Sequence, residues 1–229
     1  MATKKEVNNF YNQKHLKSIS RKGYYEEKLK FYQDFLSSES NLKILDVACN
    51  DGELSVFLTK YGSVLGVDIN ASAVQECKKK GLNCLLGEVC DLPKKYNNYF
   101  DVVVAGDIIE HIFDTDKFLS DIRKVLKKKG VLLLATPNVA SLGRRIMLAF
   151  GINPFLEYST IYPSKDYNVG HVRYYTIKDI ESQLEMNGYT NIQSCGDKIN
   201  ISKNFSIPRI IAKHIPTFSR NLNIYAQKK

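Results

Sequence analysis

A chain of 229 residues, 44% hydrophobic and 25% charged, is long enough for one domain with a full core and has the composition of a soluble globular protein. Its longest strongly apolar run, around GVLLLATP, is far too short to cross a bilayer, and the lysines of MATKKEVNNF have no apolar run or cleavage site behind them; no transmembrane segment and a cytoplasmic location are expected. The net charge of +9 sits at the ends, with eight Lys/Arg against three acids in residues 1–30, seven against none in 198–229, and a balance of −3 between, so nucleic acid, anionic lipid or an acidic substrate are candidate partners beside a plain solubilising role.

From residue 24, YYEEKLKFYQDFL spaces Tyr24, Leu29, Phe31, Tyr32, Phe35 and Leu36 as a helix leading into the first strand. Strand-like runs follow at 42–48, 63–68, 82–87, 100–106 and 130–135, separated by helix-like segments at about 52–60, 71–80 and 115–128. Near-continuous Val/Leu/Ile runs joined by helical crossovers predict an α/β fold, a doubly wound, mostly parallel sheet with helices on both faces. After Pro137 comes an aromatic-rich insertion, 140–175, with Phe150, Phe155, Tyr158, Tyr162, Tyr167, Tyr174 and Tyr175. TIKDIESQLEMN then predicts a helix near 176–187 stopped by Gly188, followed by strands near 189–196 and 221–227, the last antiparallel. The five cysteines, Cys49, Cys77, Cys84, Cys90 and Cys195, form an odd set without a C-x-x-C pair, which argues against a disulfide framework and a zinc cluster and for reduced, partly buried thiols.

In such a sheet ligands bind beyond the carboxyl ends of the strands, and the residues there are mostly acids. Strand one gives Asp46 and the turn ACNDG, strand two ends in Asp68, strand three runs into GEVCDLP with Glu88 and Asp91, and strand four into GDIIEH with Asp107. A dinucleotide pyrophosphate needs G-x-G-x-x-G and a helix start free of negative charge; this turn has one glycine, Gly52, and is flanked by two acids, Asp46 and Asp51. S-adenosylmethionine carries no phosphate, and its ammonium and ribose diol suit acids at these positions.

Residues 42–138 resemble the class I S-adenosylmethionine-dependent methyltransferases. LDVACNDG corresponds to their glycine-rich first motif, VDIN to the acid-ended second strand, GEVCDLP to the adenine-side third motif, and FDVVVAGDIIEH with FLSDIRKVLKKKGVLLLATPN to strands four and five with the helix between. Ala48 and Asn50 stand where the family usually has glycine, and Glu88 where aspartate is commoner. The resemblance implies a Rossmann-like domain that binds the cofactor through Asp46, Ala48, Asn50, Gly52, Asp68, Ile69, Glu88, Val89 and Asp107, with Asp91 close enough to share the adenine side. The plain alternatives are that Asp46 braces the turn and that Asp68 is a solvated strand end; Cys49 reads as a small buried filler.

The stretch GDIIEHIFDTDKF, with His171 in GHVRYYT, is similar to the E-x-x-E-H element of ubiquinone-biosynthesis O-methyltransferases and of 2′-O-methyltransferases of RNA 3′ ends. That resemblance implies a divalent ion, such as magnesium, on Asp107, Glu110, His111 and His171, with Glu110, His111 and His171 acting in catalysis. Otherwise His111 serves as general base with an unperturbed pKa, or packs. The expected partition is one methyltransferase domain with an N-terminal helical lid (1–40), a cofactor-binding core (41–138), an acceptor-side insertion (139–175) and a C-terminal helix and strands (176–229). The expected activity is O-methylation of a small molecule or a glycan or lipid intermediate. The alternatives are an RNA 2′-O-methyltransferase and a non-catalytic binding protein of the same fold.

Overall fold

The computed structural model describes residues 22–155, 170–200 and 206–229. They divide into two units, one of the described residues up to Ala105 with Ser120–Leu133 and Lys228–Lys229, the other of Gly106–Leu119 with those of Leu134–Gln227. Residues 1–21 of the expected lid, and Tyr158, Tyr162 and Tyr167 of the insertion, lie outside the described residues.

In the first unit, β1 (Leu42–Val47) pairs in parallel with β2 (Gly62–Asp68) and with β4 (Phe100–Gly106), and β2 pairs in parallel with β3 (Asn83–Leu86). Leu45 lies opposite Leu65 and Val103, so Asp46 comes opposite Gly66 and Val104. Ile44, Leu45, Val102, Val103, Val104 and Ala105 are buried, as strands covered on both faces require; each large aliphatic side chain contributes about 1.5–3 kcal/mol by leaving water. The helix α1 (Lys22–Leu36) adds Phe31, Tyr32 and Leu36 to the core. The crossovers are α2 (Glu53–Leu58) and α3 (Ala71–Lys79). Asn70 starts α3 by accepting the N–H groups of Ser72 and Ala73 at 2.9 and 3.3 Å, a cap worth about 1 kcal/mol.

The helix expected over 115–128 ends earlier, as α4 (Thr115–Val125), and β5 (Leu126–Pro137) starts four residues before the predicted strand. The run Lys127-Lys128-Lys129 hides this boundary from apolar periodicity. Lys127 is drawn into the strand by Asp101, 2.5 Å away, and Lys129 turns left-handed (φ 61) ahead of the buried Gly130. With β6 (Tyr189–Gly196) and β9 (Asn221–Lys228), seven strands follow the order β3-β2-β1-β4-β5-β9-β6. The sheet is mixed, mostly parallel with antiparallel last strands.

The second unit holds α5 (Leu142–Ala149) inside the expected insertion, then α6 (Ile177–Met186). Thr176 and Asp179 cap α6 reciprocally, and Gly188 follows at φ 79, the stop its position implied. It also holds an antiparallel pair of two-residue strands, β7 (Ile199–Asn200) and β8 (Ser206–Ile207), and the short α7 (Arg209–Ala212). Among the described residues no helix is long and apolar enough to cross a membrane.

Candidate functional site

The first unit carries the expected cofactor turn. Beyond β1 the backbone alternates through the left-handed region at Ala48 (φ 58), Asn50 (φ 50) and Gly52 (φ 80). The two non-glycine residues therefore adopt the conformation for which glycine is the usual choice. Asp68 ties the turn down: one carboxylate oxygen accepts the Asn50 N–H and the other the Asn70 N–H, each at 2.8 Å, while its carbonyl accepts the Gly87 N–H at 2.9 Å. Asp68 is thus a brace for three loops rather than a solvated strand end. A carboxylate has about four lone-pair sites, so bracing does not by itself exclude a ligand's hydroxyls.

Asp46 is buried and accepts the Ser55 hydroxyl at 2.5 Å. Burial pushes its carboxyl up to about 7; the Ser55 bond and Lys28 oppose the rise and the charge of Asp68 adds to it. Of the adenine-side residues, Val89 is buried while Ile69 and Glu88 are half-buried. Asp91 is exposed, and its carboxylate accepts the Glu88 N–H at 3.0 Å, which gives it a structural task. Cys49 is buried.

The second unit carries the expected acceptor group. Asp107 bends the chain after β4 (φ 54), its N–H donating to the Ala135 carbonyl at 2.8 Å. The turn Ile109–His111 then buries Glu110, whose carboxylate accepts the Thr136 hydroxyl at 3.0 Å. The Glu110 carbonyl accepts the N–H groups of Val172 (2.9 Å) and Arg173 (3.1 Å), and the Arg173 guanidinium donates to the carbonyls of Ile112 and Phe113. These bonds bring His171 back to the turn: its Nε2 lies 3.9 Å from Glu110 Oε1, and its ring centroid 4.9 Å from that of His111.

His111 Nδ1 faces the Gly170 carbonyl at 3.3 Å. A carbonyl only accepts, so in this bond Nδ1 carries the proton and Nε2 the lone pair. Burial, aided by the charge of His171, lowers the His111 pKa to about 4, with the Gly170 bond and Asp107 opposing. The unperturbed value expected for a general base is therefore not found, and His111 is a neutral imidazole at physiological pH.

Glu110, His111 and His171 each offer a ligand atom, all within 4.8 Å of one another, a group that does not include Asp107. Three of the four residues expected to hold a metal thus come together. The residues that fix them, Thr136 and Gly170, and the Ser55 that holds Asp46, were not singled out in the sequence. Thr136 stands at the end of β5, where the strand-end rule could have found it; Ser55 and Gly170 carried no signal.

Residues 38–169 match the family described as Methyltransferase domain. The ubiquinone biosynthesis O-methyltransferase of Pelagibacter ubique is 33% identical over 103 residues, 43% of this chain and 43% of that protein. The mitochondrial ubiquinone biosynthesis O-methyltransferase of Homo sapiens is 28% identical over 157 residues, 64% of this chain and 41% of that protein. The matches thus span less than half the length of these relatives. Among solved structures, a SAM-dependent methyltransferase of Thermotoga maritima superimposes with a TM-score of 0.69 at 18% identity, covering 90% of this chain and 89% of that one. One from Archaeoglobus fulgidus gives 0.64 at 19% identity, covering 90% and 94%.

Proposed function

The chain belongs to the methyltransferase-domain family, and from that premise we propose that it transfers the methyl group of S-adenosylmethionine to an oxygen of a small molecule or of a glycan or lipid intermediate. The observation that carries the oxygen acceptor is the grouping of one carboxylate and two imidazoles at Glu110, His111 and His171. The ubiquinone biosynthesis O-methyltransferases to which the chain is similar act on an acceptor of that chemical kind.

The donor supplies a methyl group already activated on a sulfonium, so the protein's own work is to hold the partners and manage one proton. Asp68 is the residue to hold the donor's ribose hydroxyls, and Asp46 its ammonium, with the left-handed turn of 48–52 giving close backbone approach. Charge-assisted hydrogen bonds of that kind contribute about 1.5–3 kcal/mol. On the acceptor side, the lone pair on His111 Nε2 can take the hydroxyl proton, and Glu110, fixed by Thr136, can steady the imidazolium that results.

The same three residues fit a divalent ion, since a neutral imidazole with its other nitrogen held by a carbonyl is the form that ligates metal. When bound, such an ion would lower the pKa of an acceptor hydroxyl. Two imidazoles with one carboxylate lean towards zinc, iron or manganese rather than the magnesium expected.

Labelled methyl transfer from S-adenosylmethionine into phenol, sugar, lipid and RNA pools tests the reading. Label on oxygen in one of the first three is the expected result; label confined to RNA, or on nitrogen or carbon, overturns it. His111→Ala should lower kcat by about 10²–10⁴ while leaving donor affinity unchanged. If excess chelator abolishes turnover as well, and a divalent ion restores it, the triad works through a metal. Activity that persists in chelator but is lost in His111→Ala leaves His111 as the base.

A further inference from the structure

Cys49, Cys77 and Cys84 are separated by 28 and 7 positions, a spacing without a C-x-x-C pair that in the sequence argues against a zinc cluster. The fold brings them together: Cys49 on the turn after β1, Cys77 near the end of α3 and Cys84 in β3. The three sulfurs lie within 4.8 Å of one another, Cys49 and Cys77 at 3.7 Å, and the residues are 5%, 0% and 1% exposed. The Asn50 carbonyl oxygen stands 3.0 Å from Cys77 Sγ and 3.9 Å from Cys49 Sγ.

Two glycines keep this space clear. A Cβ on Gly66 would come within 2.7 Å of Cys49 Sγ and 2.8 Å of Cys84 Sγ, and one on Gly52 within 2.8 Å of Cys77 Sγ. Zinc–sulfur bonds of about 2.3 Å at tetrahedral or trigonal angles set sulfurs about 3.8–4.0 Å apart. That separation is close to the 3.7 Å between Cys49 and Cys77 and below the 4.8 Å that bounds every pair in the cluster, so the thiols need move little to share an ion.

We propose that Cys49, Cys77 and Cys84 form a three-thiolate site for a soft divalent cation of the zinc class, with the Asn50 carbonyl as a neutral fourth donor. Each thiol loses its proton to solvent as its metal–sulfur bond forms, so a divalent ion and three thiols become a complex of charge −1 and three protons. Because Cys49 and Asn50 belong to the turn assigned to the methyl donor, an ion here would fix that turn from beneath.

Cadmium, titrated into the fully reduced chain, is the probe. A sulfur-to-cadmium charge-transfer absorption that saturates at one ion per chain is expected. It should be lost in Cys77→Ser and Cys84→Ser and kept in Cys90→Ser and Cys195→Ser, with circular dichroism showing each variant folded. Absence of the absorption, or its loss with Cys90 or Cys195 instead, overturns the proposal. Should the cluster variants not fold, cadmium-113 NMR of the unaltered chain decides. A resonance shifted into the range of sulfur-rich sites supports the proposal, and resonances only in the oxygen–nitrogen range refute it. None of these readouts involves methyl transfer, so the outcome is independent of the proposed activity.

Discussion

Ala48 and Asn50 hold φ values of 58 and 50, and the left-handed region costs a residue with a Cβ about 1–2 kcal/mol, less for asparagine. Ala48→Gly should therefore raise stability, by up to about 1 kcal/mol after the greater freedom of glycine in the unfolded chain is subtracted. Chemical denaturation checks this, and a midpoint that falls would mean that the Ala48 methyl is packed to advantage. Asp46 makes a prediction of opposite character. Its folded pKa of about 7 lies above the ordinary 3.8, so between those values the folded chain binds more protons than the unfolded one. The stabilisation from this group is fully present below about pH 4 and is lost as pH rises through 7, a change on the order of 4 kcal/mol. Asp46→Asn keeps an acceptor for Ser55 and removes the titration. Its stability should vary less over that window; parallel profiles for the two proteins would refute the assignment. Asp68 needs two variants, because its carboxylate braces backbone in addition to the ribose role proposed for it. Asp68→Ala should weaken donor binding by about 1–3 kcal/mol and also loosen the turn. Asp68→Asn keeps an acceptor for one brace, so a donor affinity that falls equally in both marks a ligand role.

At the scale of elements, the corner between β6 and β9 is held by one buried acid. Asp197 accepts from Arg220 Nη2 at 3.0 Å, from the Asn221 N–H at 3.0 Å and from Asn221 Nδ2 at 2.9 Å. Removing the carboxylate leaves those donors without it, so Asp197→Ala should cost about 3–5 kcal/mol, measured by equilibrium unfolding; a loss below about 1 kcal/mol would place the corner's strength elsewhere. Nothing in the sequence marked Asp197, because its partners lie 23 and 24 residues away. The strands β1 to β4 were legible because each is an apolar run with an acid or a glycine at or next to its end. The extent of α6 and its Gly188 stop were legible because helix periodicity and helix ends are local chemistry. What escaped were elements supported from a distance: α5, where Gly143 packs on the Asn200 carbonyl and Arg145 lies over the Phe218 ring, and the antiparallel pair of β7 and β8. The candidate residues divide in the same way. Asp46 and Asp68 follow from position on the strands and Glu110 and His111 from the resemblance of a local motif, whereas the thiol cluster and the Thr136 support of Glu110 are products of topology.

For the whole molecule, the excess positive charge gathers before residue 31 and after residue 197, but the fold already uses part of it. Of the seven basic residues in 198–229, Arg220 pairs with the buried Asp197, and Lys228 donates to the Asn98 side chain at 2.8 Å and to the Leu126 carbonyl at 2.7 Å. Neutralising the whole set would therefore confuse loss of a partner with loss of the fold. Lys213 is half-buried and Lys229 exposed, and surface cations of this kind act through long-range attraction that salt screens within about 10 Å at 0.1 M. Joint replacement Lys213→Gln and Lys229→Gln should weaken retention on an anionic matrix and flatten its salt dependence, with thermal stability and S-adenosylmethionine affinity unchanged. Arg220→Gln should do the reverse, lowering the melting temperature with little effect on retention beyond the loss of one charge. If the double variant loses stability or donor affinity in step with retention, the terminal lysines belong to the structure, and the anionic-partner reading of the basic ends fails.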